Sequence, residues 1–134
     1  MKFLQNYIEE KQSQVFKSKK VFFAFSNDQF KESIKEHNIK KDVKIIHLGG
    51  GMYCPTKNYK EVIKQLENIN KKGIEEDLKE NGKYNVIKRE LSNYESYYTY
   101  DLTDCIDALK DYKSISKEDI KNVFHKEKHL HYND

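Results

Sequence analysis

The sequence predicts an α+β fold, a small three-stranded, largely antiparallel sheet packed with about five or six helices that supply most of the mass. Three observations lead there. Apolar residues recur at helical spacing in six separate stretches. Only three short runs have strand character, residues 21–25, 43–48 and 52–54. Elements this unequal segregate, and one short sheet cannot shield its own faces, so helices must cover it.

Residues 3–16 place Phe3, Leu4, Tyr7, Ile8 and Val15 near i, i+3, i+4 spacing, a first amphipathic helix that Lys17–Lys20 interrupt. Val21–Phe25 is a continuous apolar run, too short for a helix, and reads as a buried strand. Ser26 and Gln29 follow as a capping box, each side chain satisfying a free N–H of the first turn. Phe30, Ile34 and His37 share the face of that helix, and Asn38 suits its stop. Val43–Leu48 is the next strand, Gly49–Gly51 the reversal, and Met52–Cys54 a short return strand before Pro55.

From Asn58 a long helix carries Tyr59, Val62, Ile63, Leu66 and Ile69. Gly73 is a point of interruption, and Ile74 and Leu78 resume the stripe to Asn81-Gly82. Tyr84, Ile87, Leu91 and Tyr94 mark another helix. Asp101 caps a short helix with Cys105, Ile106 and Leu109, and Ser116 with Asp119 caps a last one carrying Ile120, Val123, Phe124 and Leu130. Length, five glycines and one proline leave no room for a linker, so residues 1–134 are expected to form a single compact domain with 126–134 as a frayed tail.

Composition excludes several classes. No apolar run approaches the ~18 residues of a membrane helix. The N-terminal residues turn acidic before a secretory apolar region can form, so a cytoplasmic protein is expected, with no membrane partner. Cys54 and Cys105 lie outside any C-x-x-C pattern and read as buried small hydrophobes. The net charge is +3, split +3, +1 and −1 over residues 1–42, 43–82 and 83–134, with Lys17–Lys20 and Lys40-Lys41 as the densest basic points. Acids interleave almost everywhere, so direct nucleic-acid binding is not expected, although Lys17–Lys20 with the tyrosines keeps a single-strand binder as an alternative.

Candidate chemistry is sparse. Gly49, Gly50 and Gly51 lead into Met-Tyr53-Cys-Pro rather than a helix, so the phosphate-loop patterns do not apply; a hairpin turn is favoured over a ligand loop. His125 and His129 share a helix face at i, i+4, a weak metal candidate, but no H-E-x-x-H pattern surrounds them. Cys54 with His47 across the expected hairpin is the one nucleophile–base pair worth naming, and the paired acids Glu75-Glu76-Asp77 and Glu118-Asp119 fall in helix first turns or on solvent faces. No cofactor is expected, no catalytic set is complete, and the chain reads as a non-enzyme.

The segment from Arg89 to Asp101 stands out. It packs four of ten tyrosines into seven residues and holds the single arginine. Tyrosine pairs a rigid face with a polar tip, which suits partly wet contact surfaces. Arg89, Asn93, Glu95, Tyr97, Tyr98, Tyr100 and Asp101 are the expected partner-binding residues, their acids suiting a basic protein surface. The competing reading is that Tyr94, Tyr97 and Tyr98 roof the core while Arg89 pairs internally with Glu95 or Asp101.

Phe22–Phe30, Gly49–Pro55 and Asn93–Asp101 together resemble an uncharacterised family of small proteins from bacteriophages, plasmids and low-GC bacteria. Tyr94 stands where that pattern has His, and Ser96 where it has Tyr. The resemblance implies an accessory protein of a phage or mobile element. With the acidic–aromatic segment, it leads to an expected function: binding and inhibiting a bacterial defence complex, a protein or ribonucleoprotein, in the manner of an anti-CRISPR. A small-molecule or nucleotide-binding domain using Gly49–Gly51, with Asn93 and Glu95, is the alternative. The sequence sets no oligomeric state.

Overall fold

A computed structural model describes residues 1–132. Among them are seven α-helices and a three-stranded antiparallel sheet, in the order α1 (Leu4–Ser18), β1 (Phe22–Phe23), α2 (Asn27–Glu36), β2 (Ile45–Gly49), β3 (Met52–Pro55), α3 (Tyr59–Asn81), α4 (Lys83–Asn93), α5 (Ser96–Thr99), α6 (Thr103–Ala108) and α7 (Lys117–Tyr132). The fold is α+β and helix-dominated, as its sequence predicts. The extra helix is α5, a single turn too short to show a period. No helix among the described residues is long and apolar enough to cross a membrane.

Packing divides the chain into two compact units, Gln5–Lys72 and Met1–Leu4 with Gly73–Asp134. The first holds the sheet, in the order β1-β3-β2. Phe22 pairs with Tyr53, and Ile46 and His47 pair with Cys54 and Tyr53. Side chains alternate across a strand, so the pairing sorts two faces. Ile46, Leu48, Met52 and Cys54 gather with Val21, Phe16, Val62 and Leu66; Phe22, Ile45 and Tyr53 gather with Phe30, Ile34 and Ile39. The return strand before Pro55 is thus the central one.

Two expectations for this unit are corrected. Val21–Phe25 is not a buried strand: only Phe22 and Phe23 are extended in the sheet, at its edge, and Phe23 and Phe25 are exposed. Alternation turns Phe22 into the cluster of Phe30, Ile34 and Ile39 and Phe23 to the opposite face, where its ring meets that of Phe16 at 5.4 Å. The capping box is present but reaches one residue further back: Ser26 Oγ accepts from Gln29 N–H at 3.2 Å, while Gln29 Oε1 accepts from Phe25 N–H at 2.8 Å.

The second unit packs Ile74, Val86, Ile87, Leu91, Tyr97, Cys105, Leu109, Tyr112, Ile120, Val123 and Phe124 into one core. Helix α3 runs unbroken through Gly73, which is buried. At Gly82, φ +79° turns the chain from α3 into α4. Ser116 and Asp119 form the expected reciprocal cap of α7, at 3.0 and 2.9 Å. Leu130 is exposed rather than on the apolar face. Residues 126–132 continue α7; of the expected tail, 133 and 134 lie outside the described residues.

Candidate functional site

Arg89 and its partners form the interior end of the predicted site. The guanidinium meets Asp77 of α3 through two bonds, Nη1–Oδ1 at 2.7 Å and Nη2–Oδ2 at 2.9 Å. It also donates to Glu90 Oε2 (3.1 Å) and to the Lys2 carbonyl (2.9 Å), and the Phe3 ring lies 5.4 Å from it. Tyr112 Oη and Asn81 Nδ2 complete the carboxylate shell of Asp77 at 2.5 and 2.8 Å. Burial opposes the charged form of Asp77, but hydrogen bonds from Arg89, Tyr112 and Asn81, with the Arg89 charge, hold the carboxyl below its usual range. The same balance holds Arg89 protonated: burial opposes its charge, and Asp77 and Glu90 outweigh it. Arg89 is therefore paired internally, with Asp77 and Glu90 rather than Glu95 or Asp101.

The tyrosines divide. Glu95 and Tyr100 both adopt left-handed backbone, φ 56° and 60°, at the two ends of the one-turn helix α5. The Glu95 carbonyl accepts from Tyr98 and Thr99 N–H, and the Ser96 carbonyl from Tyr100 N–H. Thr99 Oγ1 accepts from Asp101 N–H, and Asp101 Oδ1 accepts at 2.9 Å from the N–H of Thr103, the first residue of α6, whose N-cap position is Leu102. This frame points Tyr97 inward, 7% exposed and stacked on the His131 ring at 4.0 Å. Tyr98 points outward, 91% exposed, with Tyr94 and Tyr100 also exposed. Asn93 is exposed and reaches Glu90 only at 3.5 Å. The outer surface of the turn is thus Tyr94, Glu95, Tyr98, Tyr100 and Asp101.

In the sheet unit, two of the three sequence segments meet. Phe25, Ser26, Asn27, His47, Gly51 and Tyr53 line an open pocket of about 340 Å³. His47 stacks on Tyr53 at 4.6 Å, and Tyr53 on Phe22 at 5.5 Å. Ala24 N–H donates to the Gly51 carbonyl, and the Phe25 ring lies against Gly51, where a Cβ would fall 2.4 Å from it. Gly50 and Gly51 make the turn and Gly49 ends β2; neither Gly49 nor Gly50 lines the pocket. Asn93 and Glu95 belong to the other unit.

The sequence profile of a family of unknown function matches residues 4–130. The chain belongs to that family, DUF7659. No curated protein and no solved structure matches it. The DUF7659 match takes in the exposed tyrosine turn and the Gly51 pocket alike.

Other candidates of this DUF7659 chain fall apart in space or join the framework. His47 and Cys54 pair with neighbours one residue out of step, so alternation sends them to opposite faces of the sheet. His125 Nδ1 lies 3.4 Å from Lys128 Nζ, a neighbour that repels a second cation. Glu127, in the expected tail, is buried and accepts from Tyr84 Oη at 2.5 Å. Asp77 departs from the expected acidic surface: it is fully buried. Its signal was present in the spacing Ile74, Asp77, Leu78, Asn81, which puts it on the apolar stripe of α3.

Proposed function

We propose that this DUF7659 protein is a non-enzymatic protein-binding module that presents the turn from Tyr94 to Asp101 to a basic surface of its partner. Tyr98 carries the reading: a large ring 91% exposed, on a turn whose ends are both pinned in left-handed backbone. Aromatic side chains held rigidly in water gain most when a partner covers them. Glu95 and Asp101 flank the rings, and the unit they belong to has eleven cations against fourteen carboxylates, a net −3. That favours a basic partner and disfavours a nucleic acid at this face.

The thiols support the non-enzymatic part. Both cysteines are fully buried, burial pushes the Cys54 thiol up, and burial with the Glu90 charge pushes Cys105 up to about 12. Neither supplies a thiolate near neutral pH. The partner we propose is a bacterial defence complex, such as a CRISPR effector, inhibited in the host cytoplasm by a protein of a phage or mobile element; this step leans on the resemblance to phage and plasmid proteins. Co-purification with candidate effectors tests it. Effector cleavage should fall with excess protein, and normal cleavage across a broad panel would reject the defence role while leaving protein binding to be read from the pull-down.

A second reading rests on the Gly51 pocket. Its stacked His47 and Tyr53 rings and the exposed Phe25 suit a planar aromatic ligand, a nucleobase among them. A thermal-shift screen of nucleotides and heterocycles tests it, and no stabilisation at saturating ligand would remove it.

A further inference from the structure

The chain leaves α1 and α2 by the same device. After α1, Val21 N–H donates to the Phe16 carbonyl (2.8 Å) and Lys20 N–H to that of Lys17 (3.5 Å); after α2, Ile39 N–H donates to Ile34 (3.0 Å) and Asn38 N–H to Lys35 (3.1 Å). Each is a helix stop built on a left-handed residue, here Lys20 (φ 57°) and Asn38 (φ 53°). The sheet register brings both stops to one end. Phe22 pairs with Tyr53 and Ile45 with Pro55, so Lys20 and Val43 extend those strands alongside Pro55 and Lys57. A cleft of about 200 Å³ results, with Ile39, Val43 and Pro55 as its apolar part. Lys20, Asn38, Lys40 and Lys57 supply the rest.

We propose that this cleft binds a phosphoryl group, as free inorganic phosphate or as the phosphate ester of a small molecule. No carboxylate lines the cleft, and no ion pair among the described residues engages Lys20, Lys40 or Lys57. One lysine from each of the two densest basic points of the sequence, Lys20 and Lys40, therefore meets Lys57 at the cleft with no ion-pair partner among the described residues. The unit that holds them has fourteen lysines against eight carboxylates, a net +6. Like charges around a partly apolar cleft repel, and an anion entering it relieves that repulsion. Phosphate fits better than carboxylate because it carries close to two charges at neutral pH. Lysine ammonium groups on flexible stems adapt to its tetrahedral oxygens, and the Asn38 amide adds a neutral donor.

This site is independent of the tyrosine turn, so either can fail alone. The test is a titration of isotope-labelled full-length protein with inorganic phosphate and with glycerol 3-phosphate, in low-salt chloride buffer, followed by amide shifts. Saturable shifts are expected at Lys20, Asn38 to Lys41, and Lys57. The pair Lys40→Gln with Lys57→Gln should weaken binding about tenfold. Lys20→Gly is the companion variant: glycine suits the positive φ, so the fold holds while a charge is lost. Tighter binding of glycerol 3-phosphate identifies an ester as the ligand, and tighter binding of phosphate the free ion. Absence of saturable shifts with both ligands, or unchanged affinity in both lysine variants, overturns the proposal. So does binding of a single-stranded oligonucleotide alone, with a salt dependence of several phosphates, which would make the cleft part of a nucleic-acid surface.

Discussion

Asp77 and Arg89 meet inside the helical unit as a two-bond pair, 2.7 and 2.9 Å, with the acid fully buried. A buried pair is worth little against apolar residues of equal volume, yet breaking it strands a charge. Asp77→Ala should therefore cost about 3 kcal/mol or more. Asp77→Leu combined with Arg89→Met should cost far less than the two single changes together. Urea unfolding of the four proteins measures the coupling, and additive losses would show that the pair is not a unit.

Stability should fall at alkaline pH through named groups. Burial, with the Glu90 charge, lifts Cys105 from 9.0 to about 12. Burial likewise lifts Tyr97, and burial with the Asp77 carboxylate lifts Tyr112. Each is an acid whose native value exceeds its unfolded one, so the unfolded chain releases protons first. Their contribution is fully present below about pH 8.5 and is lost as pH rises towards 12. Cys105→Ala should make this decline shallower at its start, near pH 9, where the unfolded thiol titrates. Unfolding free energies from pH 8 to 12 check it; a flat curve to pH 11 contradicts it.

The adjacent tyrosines should behave as opposites. Tyr97→Ala removes a buried ring and should cost about 3 kcal/mol. Tyr98→Ala, at 91% exposure, should stay within about 0.5 kcal/mol of wild type. With Tyr100→Ala it should abolish partner capture while the protein still melts cooperatively. If partner capture survives, the turn is not the interface.

Glu95 offers a finer separation. Its left-handed φ of 56° suits glycine better than glutamate, so Glu95→Gly should stabilise the fold by about 0.5–1 kcal/mol. The same change removes one of the acids facing a basic partner and should weaken capture. Thermal melting alongside pull-down reads both, and a loss of stability would show that the glutamate side chain supports the turn.

Elements were legible where local chemistry and tertiary placement agree. Ser26 with Gln29 and Ser116 with Asp119 announce helix starts because their bonds lie within one turn, and Asn38 announces a stop for the same reason. The inward and outward tyrosines were not separable, since α5 has four residues and its direction depends on two left-handed residues that no pattern marks. The acidic run around Asp77 suggests solvent, whereas its spacing with Ile74, Leu78 and Asn81 points inward. Lys20 and Lys40 belong to the dense basic points of the sequence, but the strand register and the stop after α2 are what bring them to Lys57.

Gly50 and Gly51 should respond differently to alanine although both have positive φ, 59° and 79°. A Cβ on Gly50 meets nothing within 4 Å, while one on Gly51 falls 2.4 Å from Phe25 Cε1. Gly50→Ala therefore carries only backbone strain, about 1 kcal/mol, and leaves the pocket intact. Gly51→Ala carries similar strain and also displaces the Phe25 ring. Because that ring is 77% exposed, it can swing into solvent, so the added cost in stability should be small. The wall of the pocket is lost instead. Any aromatic ligand found by thermal shift should still stabilise Gly50→Ala and should fail to stabilise Gly51→Ala. A much larger destabilisation in Gly51→Ala than in Gly50→Ala would mean that the ring is fixed by its surroundings, making Phe25 part of the framework rather than a movable wall.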